Sequence, residues 1–327
     1  MDDIIVRQYT EGDEYEITDL LTISGTHLRT AVYWRWSNIK TPFSRSICVV
    51  LEAHDKTIIG HYSIMNVKLF FNGDVYNAGF GGQLVIHPQF RNFKLLWKLL
   101  NFAWEKCKEN KIDFVFAFPN ANIWPIKYNM MNWKLVNEFK SLELNISDSF
   151  GNGKDDVLSS QLEFERITNL GDFENTIDRL WNENKIDMKS KIYIEKNFRF
   201  VSWRFFRHPL HHYPFFLVKN NGKYVGWVAL KLYNKNSTSY GHIVDVVALG
   251  KDHYIWIVKE AVSFFKKYNV NILSLWCGEN LKKLFKELGF KETGFSTNFG
   301  IKIINNVPET AMDINAWDLT MSYSDAF

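Results

Sequence analysis

The sequence predicts an α/β chain of two related domains, each a mixed, mostly antiparallel twisted sheet flanked by helices. Three observations carry this expectation: the length, a pattern that recurs once in the same order, and a strand–helix–strand unit inside that pattern. At about 150 residues per domain, a chain of 327 residues accommodates two. Hydrophobic residues make up 46% and charged residues 23%, so both halves can bury a core.

The recurrence begins with Trp34-Arg35-Trp36, followed by Pro42, a strand at 46–53, a turn at His54-Asp55-Lys56 and a strand at 57–65. The second half repeats this as Trp203-Arg204-Phe205, Pro209, a strand at 215–219, a turn at Asn221-Gly222 and a strand at 223–231. Farther on, 128–136 matches 285–293. The offset drifts from 169 residues at Trp34/Trp203 to 166 at Gly60/Gly226 and 157 at Tyr128/Phe285. A duplicated domain drifts in this way as its loops change length. The polar stretch 147–156 reads as the linker, which gives domains at 1–148 and 149–327.

Inside the first copy, 81–88 ends a strand, and 93–110 carries Leu95, Leu96, Leu99, Leu100 and Ala103 at helical spacing. The apolar run at 112–119 suits a strand covered on both faces. Strand, helix and strand of this size form a right-handed crossover.

Composition excludes several classes. A net charge of +3 is too small for a phosphate-backbone footprint, so no nucleic-acid partner is expected. Three cysteines make neither a disulfide framework nor a zinc site, and no metal is expected. The first residues are acidic with no apolar run, and no stretch approaches the ~20 apolar residues of a membrane span. The expectation is a cytoplasmic protein with no membrane partner. Aromatic residues reach 16%, which suits large cores and a few rings lining a cleft for a sugar or base.

The loop at 87–96 joins a strand to a helix N-terminus, whose first N–H groups have no partner within the helix and attract an anion. Its Ile86-x-Pro88-x-x-Arg91 followed by an amphipathic helix resembles the GNAT acetyltransferase superfamily. Tyr128, four residues before Asn132-Trp133, resembles the tyrosine that precedes a Gly-aromatic pair in that superfamily, with Asn in place of Gly. Phe118-Pro119-Asn120 and the closing W-x-x-T-x-x-x-S-D from Trp317 resemble a tandem-GNAT subfamily of bacterial surface-polysaccharide enzymes.

The resemblance implies an acyl-CoA site in the first domain. Backbone groups of Leu84, Val85 and Ile86 would pair with the pantetheine, and the turn formed by Arg91, Asn92, Phe93, Lys94, Leu95 and Leu96 would hold the pyrophosphate. Lys94 replaces the signature glycine and either crowds the loop or offers its ammonium to a phosphate. Asn120 and Asn122 are expected at the splay between strands, as ligand contacts or as turn formers. Tyr128 is expected to be the general acid; a phenol with a pKa of about 10 stays protonated until the thiolate leaves. The second copy has Phe285 there and no Pro-x-x-Arg loop, so the chemistry is expected in the first domain.

A base is not evident in the strand, which offers Gln83. A water relay, or His242 or Asp245 from the second domain, would serve. Trp34-Arg35 and Trp203-Arg204 either pack helix against strand or face the acceptor. His208, His211 and His212 read as loop histidines. The subfamily implies an N-acyltransferase acting on a nucleotide-linked amino sugar, a dTDP-3- or 4-amino-6-deoxyhexose, with acetyl-CoA or a hydroxyacyl-CoA as donor, and a monomer. The alternatives are an aminoglycoside- or protein-type N-acetyltransferase and a non-catalytic binding module. Aminoacyl transfer from tRNA would require a long basic arm, which the sequence lacks.

Overall fold

The computed structural model describes residues 4–25, 30–148 and 162–324. The chain gathers into two compact units, the first from Met1–Leu69, Asp74–Val136 and Phe299–Glu309, the second from Phe70–Gly73, Asn137–Asn298 and Thr310–Phe327. A division at 148 differs from this. Residues 137–148 lie with the second unit, and 299–309 return to the first. Of the expected linker, residues 149–156 lie outside the described residues.

In chain order the first half runs β1 (Ile5–Gln8), α1 (Asp13–Ile23), α2 (Ala31–Asn38), β2 (Ile47–Glu52), β3 (Ile58–Phe71), β4 (Asp74–Ile86), α3 (Phe93–Glu109), β5 (Phe114–Ala117), α4 (Trp124–Met130) and β6 (Lys134–Asn145). The second runs β7 (Leu162–Ile167), α5 (Glu174–Asn184), β8 (Tyr193–Ile194), α6 (Phe198–Val201), β9 (Phe215–Asn220), β10 (Lys223–Lys235), β11 (Thr238–Ala248), α7 (Lys251–Lys267), β12 (Ile272–Leu275), α8 (Glu279–Glu287) and β13 (Lys291–Ile303).

The sheet of the first unit is ordered β1-β2-β3-β4-β5, completed by the end of β13. β4 and β5 are parallel through Ala78–Phe114 to Phe80–Phe116, and Gly300 to Ile303 run antiparallel along β5. Every residue of β2 is buried because both faces are covered. On one face α3 sets Leu95, Leu99, Leu100, Ala103 and Cys107 against Val49, Leu51, Tyr62 and Val115. On the other, Ile17, Leu20 and Leu21 of α1 and Trp34 of α2 pack on Cys48, Val50 and Val85.

The second unit orders its sheet β6-β12-β11-β10-β9-β7, with β11 and β12 parallel and α7 crossing between them. This repeats β4–α3–β5. Ile257, Val258, Ala261, Val262 and Phe265 of α7 form its core with Leu230, Ile243 and Leu273. Phe265 lies so close to Gly241 that a Cβ there would fall 2.6 Å from the ring. Each unit thus has a mixed, mostly antiparallel sheet flanked by helices, as expected. Among the described residues no helix is long and apolar enough to cross a membrane.

Candidate active site

β4 and β5 stop pairing at Phe80 and Phe116, yet β4 continues to Ile86. Past the last pair, among the described residues, no strand pairs with β4 on the side that β5 vacates. Gln83 marks the change with φ of 54°, a left-handed conformation that costs energy for a non-glycine residue in a strand. Its side chain is held on both sides: the amide accepts from Asn38 Nδ2 at 3.2 Å and donates to Ser37 Oγ at 3.2 Å.

The chain then turns through Pro88–Phe90, a 3-10 turn, into α3. Arg91 Nε donates to the Ile86 carbonyl at 3.1 Å, which ties the loop to the strand end. Asn92 caps α3, its Oδ1 accepting from Leu95 N–H at 2.9 Å. The first turn of α3 has no acidic residue, so its positive end is not neutralised locally.

A cleft of about 580 Å³ opens at this place. One wall is Leu84, Val85 and Ile86 of β4; a second is Arg91, Asn92, Phe93 and Leu96; a third is Asn120, Asn122, Ile123 and Ile126, and Ser24 also lines the cleft. Most of the residues expected at a coenzyme site are therefore brought together. Leu95 is not among them, because its side chain faces the core. Lys94 is exposed on the outer side of the first turn, off the cleft wall. Asn120 lines the cleft, and its Oδ1 accepts from Asn122 and Ile123 N–H at 3.1 and 3.2 Å, as in a turn. Ser24, Ile123 and Ile126 had no sequence signal. Beside the cleft, the exposed rings of Phe93 and Trp97 stack with centroids 5.9 Å apart.

Tyr128 stands on α4, 53% exposed, its ring 5.6 Å from that of Trp124. It is off the cleft wall. Asn132 occupies the position of the signature glycine with φ of 52°, and Gly289 holds the same place in the second copy with φ of 87°. A left-handed residue is needed to end α4, and asparagine tolerates that conformation. Lys127, next to Tyr128, is 3% exposed and was not anticipated. Its ammonium lies 4.1 Å from the Trp133 ring centroid, and burial pushes its pKa down to about 7.

The other expected contacts have internal occupations. Trp34 is fully buried, and its Nε1 donates to His61 Nε2 at 3.2 Å. Burial pushes His61 down to about 4, so the ring is neutral and its Nδ1 donates to the Val49 carbonyl. Arg35 Nε donates to Glu14 at 2.6 Å. Burial alone would raise the Glu14 carboxyl; bonds from Tyr9, Gly12 and Arg35 outweigh it and hold the group below its usual range. Trp203 is buried, and Arg204 donates to the carbonyls of Ser322 and Ser324 and to the Tyr213 hydroxyl. Asp245 is buried, 2.8 Å from Lys196, and accepts from Ser322 Oγ at 2.6 Å. His242 pairs with Ser274 Oγ at 2.6 Å. Among the described residues no group of three or more His, Cys, Asp or Glu is arranged to hold a metal ion.

Residues 5–136 match the family model described as the acetyltransferase (GNAT) domain. No curated protein matches the sequence. A solved structure from Enterococcus faecalis, described as a conserved protein of unknown function and probable N-acyltransferase, is similar with a TM-score of 0.71 at 11% identity. It covers 92% of this chain and 73% of its own. A GCN5-related N-acetyltransferase from Anabaena variabilis gives 0.69 at 12% identity over the same shares. The N-myristoyltransferase of Saccharomyces cerevisiae, solved with bound myristoyl-CoA, gives 0.63 at 10% identity, covering 94% of this chain and 84% of that one. Residues 5–136 thus match an acetyltransferase (GNAT) domain, and the solved structures share the fold over more than nine-tenths of the chain.

Proposed function

We propose that this protein moves an acyl group from acyl-CoA to the primary amine of a nucleotide-linked amino sugar in surface-polysaccharide synthesis. A dTDP-3- or 4-amino-6-deoxyhexose is the acceptor, and acetyl-CoA or a hydroxyacyl-CoA the donor. One observation supports the donor site above all: the open backbone of Leu84, Val85 and Ile86 and the uncompensated N-terminus of α3 meet in one cleft. In this reading the cleft receives the pantetheine along β4 and the pyrophosphate at Asn92, Phe93 and Leu96, with Lys94 and Arg91 supplying positive charge nearby.

The amine nitrogen attacks the thioester carbonyl carbon; the C–N bond forms and the C–S bond breaks. Tyr128 gives its phenolic proton to the departing thiolate, a role worth a factor of about 10² to 10⁴, and the proton that nitrogen sheds as the amide forms passes through water to restore the phenol. The acceptor class rests on the resemblance of the closing segment and of Phe118-Pro119-Asn120 to surface-polysaccharide enzymes.

The test is a thiol-release assay with acetyl-CoA against dTDP- and UDP-amino sugars, polyamines and free amino sugars, using wild type, Tyr128→Phe and Arg91→Ala. Turnover on a nucleotide-linked sugar, at least tenfold lower in Tyr128→Phe, is expected. A Tyr128→Phe variant as fast as wild type would remove the proton donor from the scheme. Turnover on polyamines alone would remove the acceptor.

A further inference from the structure

Four strands of the second unit carry one polar row. Lys231 of β10 stands opposite His242 of β11, His242 opposite Ser274 of β12, and Ser274 opposite Glu143 of β6. Their strand neighbours Leu230, Ile243, Leu273 and Leu142 enter the core against α7, so the row stands on the other face. With strands about 4.8 Å apart, it spans roughly 14 Å. Flat rings border it: Tyr233 stacks on His242 at 4.9 Å and on Tyr240 at 5.1 Å.

At the Lys231 end the charges are unbalanced. The residue is 8% exposed, and its ammonium meets His211 Nε2 at 3.2 Å. The ionic group that bears on it is Arg204, a second cation, and burial pushes the lysine down to about 8. Among the described residues no carboxylate lies within ion-pair reach of it. Lys196, buried in the same unit, has two: Asp245 at 2.8 Å and Asp318 at 3.2 Å. A buried ammonium without an anion is costly. One buried lysine is thus neutralised from within, while the other leaves its anion to be supplied from outside.

We propose that Lys231 and His211 hold an oxyanion of phosphate type, the diphosphate of the acceptor, while the row of His242, Ser274 and Glu143 meets hydroxyls beyond it. The diphosphate assignment rests on the amino-sugar reading above; the oxyanion site itself does not. Half-exposed His211 and Tyr233 give the entry route, and the paired tyrosine faces suit a flat base or sugar ring.

Calorimetry on the full chain, first saturated with CoA so that its phosphate site is filled, tests this with dTDP, inorganic pyrophosphate, inorganic phosphate and thymidine. Wild type is expected to bind dTDP and pyrophosphate but not thymidine. Lys231→Met is expected to weaken dTDP at least tenfold with CoA affinity unchanged, and Lys231→Arg to restore much of the loss. An unchanged melting temperature, together with unchanged CoA affinity, shows that both units of the variant are folded. A Lys231→Met protein that binds dTDP like wild type, or a wild type that binds no oxyanion at millimolar concentration, overturns the site. Inorganic phosphate binding as tightly as dTDP overturns the acceptor assignment. Loss of acyl transfer to every amino sugar with dTDP binding intact refutes the proposed function and leaves the oxyanion site standing.

Discussion

Replacing Lys127 with methionine is expected to stabilise the protein and to erase part of its pH dependence. The ammonium is buried in the first unit beside Tyr62 and Trp133, and among the described residues no carboxylate is paired with it. Burial lowers its pKa from the ordinary 10.5 of a lysine to about 7. At 1.36 kcal/mol for each pH unit, that depression costs the folded state about 5 kcal/mol. The ring contact with Trp133 acts in the other direction and contributes about 2 kcal/mol for a desolvated pair.

The sign follows from proton linkage. Between pH 7 and 10.5 the unfolded chain holds a proton that the folded chain has shed, so stability rises with pH across that window. The penalty is full below the folded pKa and fades toward the unfolded one. Methionine removes the charge and keeps the length of the side chain. Urea denaturation of wild type and Lys127→Met at pH 7, 8, 9 and 10 reads the effect, because other titrating groups cancel in the difference. The variant's advantage is expected to shrink by roughly 3 kcal/mol from pH 7 to pH 10. A constant difference, or a variant less stable at pH 7, would refute the reasoning.

Two further substitutions separate structure from function. Gly81→Ala would place a Cβ 2.5 Å from the Tyr62 hydroxyl and 3.2 Å from Val115, at the point where β4 and β5 part. It is expected to cost about 1–3 kcal/mol in thermal unfolding and to weaken CoA binding; an unchanged CoA affinity would mean that the opening is not the pantetheine path. Asp245→Asn leaves buried Lys196 with Asp318 alone and is expected to lower stability by about 3–5 kcal/mol with little change in kcat/KM. Lost activity with full stability, measured by denaturation and initial rates, would instead put Asp245 at the acceptor.

The features legible in the sequence were those written in local spacing. Pro88, Arg91 and the helical period of 93–110 sit within a few residues of one another, and together they locate the cleft. The glycine signature was legible through its substitute, because Asn132 meets the same backbone demand. Long-range partnerships were not legible. Trp34 finds His61 across 27 positions, and Lys196 finds Asp245 and Asp318 across 49 and 122. Nothing in the spacing of a Trp-Arg pair says whether it faces solvent, a ligand or a buried carboxylate. Lys127 escaped notice for the same reason, since a lone lysine on a short helix reads as solvated.

The return of Phe299–Glu309 to the first unit carries a consequence for synthesis in the cell. The strand that completes the sheet beside β5 emerges roughly 160 residues after Val136, which at 5–20 residues per second is on the order of ten to thirty seconds of translation. Until then β5 presents an unpaired edge, a surface to which another strand can add. The GNAT domain therefore cannot mature from the N-terminus alone, and a gene cut at residue 148 would encode a sheet with one edge left open.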